Sequence, residues 1–444
     1  MYRCYRYWLP IWLLSVVAHG FKLPFGRPKT HNATTETETE TETATEKYAL
    51  LVDWMRSNGG RVDERFGLMT RSNDNLEGAT GRGVVALQDI AVGTELLFCP
   101  WDLVFGTVGD TAKVPPETDP CDTLNAYADH VRAGKDSFWY PYLSMDDSLD
   151  TRIPTIWNSA LTELQGLLPD AAQGSSMATW FSNSCAGGTP FDQLDPAARQ
   201  SLLAAITRSA GMRFLPVFDL MNHHNGLLNT RSNAAVDGNS VFAAVDIPKG
   251  SEIFNSYKGG LATSSDIFRR YGFVESWPQQ WTWTDTDAIA TSATTTEAKE
   301  ERFLLLPDNV VVIYPPASMT DQIGVTAPLP LANWQADSKL HNLQLGADKL
   351  AGFAESAKRL LESLPSTAEE DTLLLEQLEV LATQRGLVSS SDPSSDRDAI
   401  LLSDRMSAIA YRIKFKDAVQ TALDVAIDTR IAHHQDIPEL KSEL

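Results

Sequence analysis

Two stretches of sequence decide the fold: residues 215–226, LPVFDLMNHHNG, and residues 243–257, AAVDIPKGSEIFNSY. The first is an apolar, strand-like run that Asp219, Asn222 and His223 interrupt, and the second ends at Tyr257. Buried polar side chains are kept only where they have partners, which favours a polar site inside a core of short strands over a plain surface turn. Taken alone, a tyrosine at a strand end is also compatible with simple packing.

Three further segments surround these stretches. GRGVVALQDIAVGTELLF, residues 81–98, predicts two strands joined by a turn. TRSAG, residues 207–211, ends a predicted helix that starts at the N-cap Asp195 followed by Pro196. RRYGF, residues 269–273, is typical of a helix C-terminus, with cations at the negative end of the helix dipole and a glycine cap.

Gly81-Arg82-Gly83 heads the first of these strands and has two interpretations. The glycines indicate either a bulge or turn, or a backbone edge that a ligand approaches closely. A phosphate loop is excluded, since the remaining glycines and the following helix of such motifs are missing.

Metal and cysteine chemistry have weak sequence support. His223 and His224 are adjacent, so on a strand they point to opposite faces, and we expect no metal. After the leader, which contains Cys4, the cysteines are Cys99, Cys121 and Cys185, an odd and widely spaced set that predicts neither a disulfide framework nor a zinc site. Cys185 is flanked by glycines as a nucleophile can be, but no cysteine-hydrolase signature surrounds it.

The chain of 444 residues carries 37 Lys+Arg and 58 Asp+Glu, a formal net charge of −21. Residues 1–46 hold equal numbers of basic and acidic side chains, so the excess belongs to the remainder. An acidic body argues against nucleic acid as a partner, because phosphate binding needs surplus Lys and Arg. With 43% hydrophobic residues the chain is not a disordered one. It contains no run of about 18 apolar residues, which excludes a multipass membrane protein.

The N-terminus resembles a targeting signal. Two arginines precede the apolar stretch Trp8–Ala18, as in a secretory signal peptide. Residues 21–35 are basic, hydroxylated and free of acids, which is typical of a transit peptide, and Phe21 resembles the start of the two-part plastid leaders of algae. Residues 441–444 approach an ER-retention tetrapeptide, except for Ser442. We expect entry into the ER, with the plastid favoured as the destination and the ER lumen as the alternative.

The order of these segments resembles the split SET domain of protein methyltransferases of the Rubisco large-subunit lysine type and of their actin-histidine relatives. The resemblance covers roughly residues 47–435. It implies an α+β fold: short β-sheets with a knotted core and a helical insert, followed by an all-α C-terminal substrate-binding domain. Residues 1–46 precede this resemblance and are predicted from their composition to be a signal peptide (1–20) and a transit-like segment with a Thr/Glu linker (21–46). The rest of the predicted domain plan is the SET N-terminal part (47–105), the helical insert (106–207), the SET C-terminal part (208–275) and the helical domain (276–438).

The resemblance also assigns roles to single residues. Tyr257 matches the catalytic tyrosine. Tyr271 and Phe273 would line the substrate channel, together with Ala210 and Phe218. The residues that would hold S-adenosylmethionine are Thr80, Arg82, Arg208, Asp219, Asn222 and His223, with an arginine fork suited to a carboxylate.

Some positions depart from the family pattern. Thr80 replaces the usual Glu, Lys258 follows the tyrosine where Gly is common, and Ser264 stands where the family has Asn. Ala210 stands where the histidine-modifying relatives have Asn and the lysine-modifying ones an aromatic residue. Because loss of that Asn removes an imidazole partner, the sequence favours lysine as the target.

The resemblance therefore implies a protein methyltransferase that uses S-adenosylmethionine, acts on lysine and docks a basic segment of a protein substrate. Three alternatives stay open: a catalytically silent SET-derived interaction module, a protein-histidine methyltransferase, and a hydrolase that uses Cys185. We expect no stable membrane span once the leader is removed, and the oligomeric state is not predicted.

Overall fold

Short strands and helices of at most 14 residues build the described residues from 43 to 275, the strand-rich half of the protein, and longer helices build its C-terminal end. A computed structural model describes residues 43–70, 82–106, 119–147, 153–157, 163–164, 167, 176–257, 262–275, 277–285, 299–314, 342, 345–385 and 397–435. The predicted signal peptide and nearly all of the predicted linker lie outside these residues and stay predictions.

The helices are α1 (Ala44–Ser57), α2 (Pro120–Ala133), α3 (Tyr140–Leu143), α4 (Ser176–Ser184), α5 (Pro196–Thr207), α6 (Ser264–Tyr271), α7 (Ala347–Ser363), α8 (Ala368–Gln384) and α9 (Arg397–Gln435). The strands are β1 (Arg61–Val62), β2 (Phe66–Thr70), β3 (Arg82–Ala86), β4 (Glu95–Pro100), β5 (Asn222–His223), β6 (Thr230–Ala234), β7 (Gly238–Ala243), β8 (Phe254–Asn255), β9 (Gln279–Asp285), β10 (Lys299–Leu306) and β11 (Val310–Tyr314).

Three small sheets make up the strand-rich half. The largest has four antiparallel strands in the order β1-β4-β7-β6, and β2 pairs with β3 in a second antiparallel sheet. The third consists of β5 and β8, which are distant in sequence and run parallel. A shared core of apolar side chains, among them Val84, Leu97, Val241 and Ile253, holds the sheets together.

Local signals at the helix ends behave as the sequence predicts. Asp195 caps α5, its side chain accepting from the backbone N–H groups of Ala197 and Ala198, and Pro196 occupies the first turn. Gly272 ends α6 in the left-handed conformation, with φ of 80°.

Helix α1 extends into the predicted linker. It begins at Ala44, because Thr43 and Glu46 form a capping box, so the last residues of the predicted linker are helical. Its buried residues are Leu51, Val52 and Met55, whereas Leu50 is exposed.

The C-terminal region confirms the α+β fold class, with one correction. Helices α7, α8 and α9 pack together, but described residues between 279 and 314 form a three-stranded antiparallel sheet in the order β11-β10-β9. The region is therefore not all-α. Trp281 and Trp283 of β9 pack with Phe353 of α7 and Phe415 of α9 in one apolar cluster.

A disulfide corrects the expectation drawn from the cysteines. Cys121, at the start of α2, is bonded to Cys185, just after α4, across 64 residues of sequence. Sequence spacing did not reveal the pair, because only the folding of the helical insert brings Cys121 and Cys185 close together. The bond also removes the nucleophile hypothesis for Cys185, since a disulfide sulfur carries no thiolate. Cys99 is a free, buried cysteine.

Candidate active site

The parallel pair β5–β8 brings the two deciding stretches of sequence side by side. Asn222 lies opposite Phe254, and His223 lies opposite Asn255. This register places the polar residues of the first stretch next to Tyr257, two residues beyond β8.

Asn222 is fixed against strand β3, which contains Gly83. Its amide nitrogen donates to the Arg82 carbonyl oxygen at 2.9 Å and to Glu252 Oε1 at 2.8 Å. A Cβ on Gly83 would lie 2.4 Å from Glu252 Oε1 and 2.8 Å from the Asn222 amide nitrogen, far inside van der Waals contact. The glycine is thus explained by the close approach of these two side chains to the strand and not by a turn or bulge.

His223 links a buried carboxylate to the backbone of Tyr257. The Tyr257 N–H donates to His223 Nδ1 at 3.2 Å, so in the neutral ring the proton is on Nε2. Nε2 lies 2.6 Å from Glu275 Oε2, to which it donates. Burial raises the pKa of Glu275. The chain Glu275–His223–Tyr257 fixes both the ring and the backbone at the tyrosine.

Tyr257 lies among aromatic rings. Its ring centroid is 4.4 Å from that of Tyr271 and 5.2 Å from that of His223, and Tyr271 is 6.4 Å from Phe273. Burial raises the pKa of Tyr257 well above its ordinary value and raises the pKa of Tyr271 to about 12. Both phenols are therefore neutral at physiological pH and act as hydrogen-bond groups, not as strong bases.

An arginine–carboxylate cluster lies beside this aromatic group, and its centre is Arg208, the C-cap residue of α5. Arg208 Nε donates to Asp146 Oδ1 at 3.1 Å, Nη2 donates to Asp147 Oδ1, and Nη1 is 3.8 Å from Asp219 Oδ2. Arg82 Nη2 donates to the same oxygen of Asp147 at 2.7 Å. Two guanidinium groups and three carboxylates thus share one location.

The charges in this cluster perturb one another. Burial alone would lower the pKa of Arg208, but the carboxylates of Asp146, Asp219 and Asp147 raise it well above its ordinary value. Burial raises the pKa of Asp219 to about 6, although Arg208 opposes the shift. Both charges also act on Tyr257, which places the cluster within electrostatic range of the tyrosine.

The turn before Asp219 is strained. Val217 is fully buried and has φ of 69° and ψ of −39°, an unfavourable conformation for a β-branched residue. Asp219 follows in a short 3-10 turn with its side chain only 2% exposed. Its Oδ2 accepts from the Tyr142 hydroxyl at 2.7 Å, and its Oδ1 has no hydrogen-bond partner.

The structure brings most of the predicted site residues together. Those in the linked groups above are Arg82, Arg208, Asp219, Asn222, His223, Tyr257, Tyr271 and Phe273. Phe218 is half-buried next to Asp219, and Ala210 lies on an exposed hairpin turn that pairs with Arg213. Thr80 lies outside the described residues.

Sequence reasoning missed five residues that complete the site: Tyr142, Asp146, Asp147, Glu252 and Glu275. The only available signal was compositional, since the aspartate pair follows an aromatic helix and Glu275 follows the RRYGF segment. Nothing local shows that these carboxylates face Arg208 or His223.

Within the part of the chain that the structure describes, no three His, Cys, Asp or Glu side chains are grouped as a metal site would require. None of the helices there has the length and hydropathy needed to cross a membrane.

Comparison with known proteins agrees with this geometry. Residues 81–258 match the family model described as the SET domain. A solved structure of Rubisco LSMT bound to AdoMet is similar to the chain with a TM-score of 0.50 and 16% sequence identity, covering 90% of this chain and 96% of the other. A structure of Rubisco LSMT bound to sinefungin and monomethyllysine gives a TM-score of 0.50 and 15% identity, with the same coverage.

No curated protein sequence matches the chain significantly. The likeness to the solved structures shows the fold, and the family model locates the domain within it. Residues 81–258, which contain the tyrosine, the histidine and the arginine cluster, therefore match a SET domain, and the fold of the chain is similar to that of Rubisco LSMT.

Proposed function

We propose that the protein is a protein methyltransferase that uses S-adenosylmethionine and acts on lysine. The observation that carries the proposal is the arginine–carboxylate cluster of Arg208 and Asp219 placed beside the buried Tyr257 in a SET domain. The charged groups of the cluster suit the carboxylate and ammonium groups of an amino acid, and the tyrosine supplies a neutral hydroxyl among aromatic rings.

The residues present fit the amino-acid end of the cofactor. Arg82 and Arg208 present guanidinium groups suited to a carboxylate. The Oδ1 atom of Asp219 is buried without a hydrogen-bond partner and is an acceptor suited to an ammonium group. Asn222, held against the Arg82 carbonyl, would support the cofactor from the strand side.

When bound, S-adenosylmethionine supplies a methyl group on a sulfonium, and its C–S bond breaks as the substrate nitrogen forms a bond to the methyl carbon. The chain must align the nitrogen and exclude water. It must also receive the nitrogen without its proton, and the raised pKa of Tyr257 rules out a phenolate base for that step. The tyrosine therefore orients groups by hydrogen bonding, in a position that His223 fixes.

The proposal of lysine as the target rests on the channel side chains. Tyr257, Tyr271 and Phe273 form an aromatic group that can contact the methylene stem and the methylated nitrogen of a lysine. Ala210 has no side-chain group to hydrogen-bond an imidazole ring. One of the similar solved structures holds monomethyllysine, which supports the same choice.

The proposal is tested with the purified full chain, labelled S-adenosylmethionine and protein extracts. We expect labelled protein that yields methyl-lysine on hydrolysis. In Tyr257→Phe we expect a loss of at least 100-fold in rate, on the order of the loss typical for a group that acts in the transition state. Tyr48→Phe is the matched control, because it removes a hydroxyl that bonds only the Phe66 carbonyl away from the site.

Three other outcomes are informative. Methyl-histidine in the hydrolysate would show the histidine alternative. Cofactor binding by calorimetry without transfer to any extract would indicate a silent interaction module. Neither binding nor label would overturn the proposal.

We also propose that the chain enters the ER by its N-terminal signal and continues to a plastid. The Cys121–Cys185 disulfide supports passage through an oxidising compartment. The test is to fuse residues 1–46 to a fluorescent reporter that keeps its own C-terminus. Reporter in the plastid is the expected result, reporter in the ER lumen would favour the alternative, and reporter in the cytosol would overturn the proposal.

A further inference from the structure

The most informative contact in the site is the one that two arginines make with a single carboxylate. Asp147 Oδ1 accepts from both Arg82 and Arg208. Asp147 keeps 38% of its side-chain surface exposed, whereas the other two carboxylates of the cluster, Asp146 and Asp219, are each 2% exposed. Asp147 is therefore the member of the cluster that solvent reaches.

Every nitrogen of the Arg208 guanidinium already faces a protein carboxylate. Nε faces Asp146, Nη1 faces Asp219, and Nη2 faces Asp147. A ligand carboxylate that is to bind the Arg208 fork must take the place of one of these three. Asp146 is also held by the Tyr127 hydroxyl and the Gln200 amide, and Asp219 by the Tyr142 hydroxyl.

Among the residues that the structure describes, Asp147 has no such third support, and its two partners are the guanidinium groups themselves. Displacing it costs the least, because its carboxylate can be rehydrated at the surface without moving the core. Asp146 and Asp219 would have to leave buried hydrogen bonds.

We propose that Asp147 occupies the carboxylate position of the cofactor site and competes with the ligand's own carboxylate, so that it sets the affinity of the site and the preference among adenosine ligands. This inference rests on the proposed function. The buried Oδ1 of Asp219, which has no partner, is an independent sign that a cationic group belongs beside the same arginines.

Competition by Asp147 should affect only ligands that carry a carboxylate. S-adenosylmethionine and S-adenosylhomocysteine carry the α-carboxylate and must displace Asp147 to bind. 5′-Methylthioadenosine shares the adenosine and the sulfur but lacks the amino-acid end, so it has no carboxylate to place there. A change at Asp147 should therefore affect the first two ligands and leave the third unchanged.

The experiment is calorimetry of the full chain with these three ligands, for the wild type and for Asp147→Asn. We expect Asp147→Asn to bind S-adenosylmethionine and S-adenosylhomocysteine on the order of tenfold more tightly, the scale of one charged hydrogen bond that is no longer lost. Binding of 5′-methylthioadenosine should change by less than about twofold. Asp147→Glu, which keeps the charge, should not tighten binding.

Controls separate this inference from its premise. Asp136→Asn removes an exposed carboxylate from the same helical insert and should leave all three affinities unchanged. Asp147→Ser repeats the test if the Asn variant folds poorly. Failure of the wild type to bind S-adenosylmethionine would overturn the proposed function and this inference with it. Wild-type binding that Asp147→Asn and Asp147→Ser leave equal or weaker would overturn the inference alone.

Discussion

Buried arginine–carboxylate clusters occur in two regions of the molecule, and one is closed while the other is open. In the C-terminal region, Asp371 of α8 accepts from Arg412 and from Lys416 of α9, with Lys416 Nζ 2.6 Å from Asp371 Oδ2. All three side chains are nearly completely buried. Ser366 bonds the same three residues, and Arg412 Nη1 also donates to Glu163 Oε2 at 2.7 Å, so the network joins the two helices and the segment that contains Glu163.

The cluster in the SET domain has the same residue types in a different state. Asp147 is partly exposed between Arg82 and Arg208, and the Oδ1 of Asp219 has no partner. In the closed cluster each buried charge is paired with a charge of the protein, and the pairs join two helices and Glu163. The open one keeps a replaceable carboxylate and a buried acceptor, as expected where a ligand with both charges binds. Residue composition alone does not distinguish a structural network from a ligand-binding site. What distinguishes them is whether each charged atom already has a hydrogen-bond partner in the buried core.

The largest effect should come from breaking the closed cluster. Asp371→Ala leaves Lys416 buried without its carboxylate and leaves Arg412 with only the carboxylate of Glu163, and we expect the free energy of unfolding to fall by about 3–5 kcal/mol. Urea denaturation measures it. Glu376→Ala, an exposed acidic position on the same helix, is the control and should change stability by less than about 0.5 kcal/mol. If Asp371→Ala costs less than about 1 kcal/mol, the network is not what joins the two helices.

The next effect concerns the open cluster and depends on pH. The pKa of Asp219 is raised by burial to about 6, above the value of about 3.9 for an unfolded aspartate. The folded state therefore binds more protons between these values, so the stability from this group is present below about pH 4 and is lost as the pH rises through about 6.

The variant that tests this is Asp219→Asn, whose stability should lack that pH dependence. From pH 4 to 7 the wild type should lose on the order of 2–3 kcal/mol more than the variant, by urea denaturation at each pH. Parallel curves for the two proteins would show that Asp219 titrates normally.

The sequence could predict those parts of the site and fold that depend on local chemistry. The Asp195 cap of α5 and the Gly272 end of α6 follow from residues within one turn. Arg208 and Tyr257 were found because short motifs of the SET family carry them.

Contacts between distant segments could not be predicted in this way. Asp147 is 61 residues from Arg208, and Glu275 is 52 residues from His223, so neither pair leaves a local pattern. Strand β9 gave no clear signal for a related reason. Trp281, Thr282 and Trp283 are all buried, so the alternation of a half-buried strand is absent.

A smaller effect is expected at Glu275, where two substitutions separate stability from function. Glu275→Ala leaves the His223 Nε2–H without its buried acceptor and should cost about 1–3 kcal/mol. Glu275→Gln keeps an acceptor oxygen and should restore most of that stability. If the carboxylate positions Tyr257 through His223, the methyl-transfer rate of Glu275→Gln should stay close to wild type and that of Glu275→Ala should fall, with the KM for the protein substrate unchanged. An equal fall in both would contradict the positioning role.

The smallest effect on stability should come from a substitution at Asp147. Its size is the most direct test of the difference between the open and the closed cluster. Asp147 is partly exposed, and Arg208 keeps Asp146 and Asp219 as partners when Asp147 changes, so Asp147→Asn should change the free energy of unfolding by less than about 1 kcal/mol. Asp371→Ala removes a carboxylate that also contacts two cations, yet should cost several times more. Urea denaturation of the two variants in the same buffer decides the matter. If Asp147→Asn is as destabilising as Asp371→Ala, both clusters are structural networks, and a ligand carboxylate would have to bind elsewhere than at Arg208.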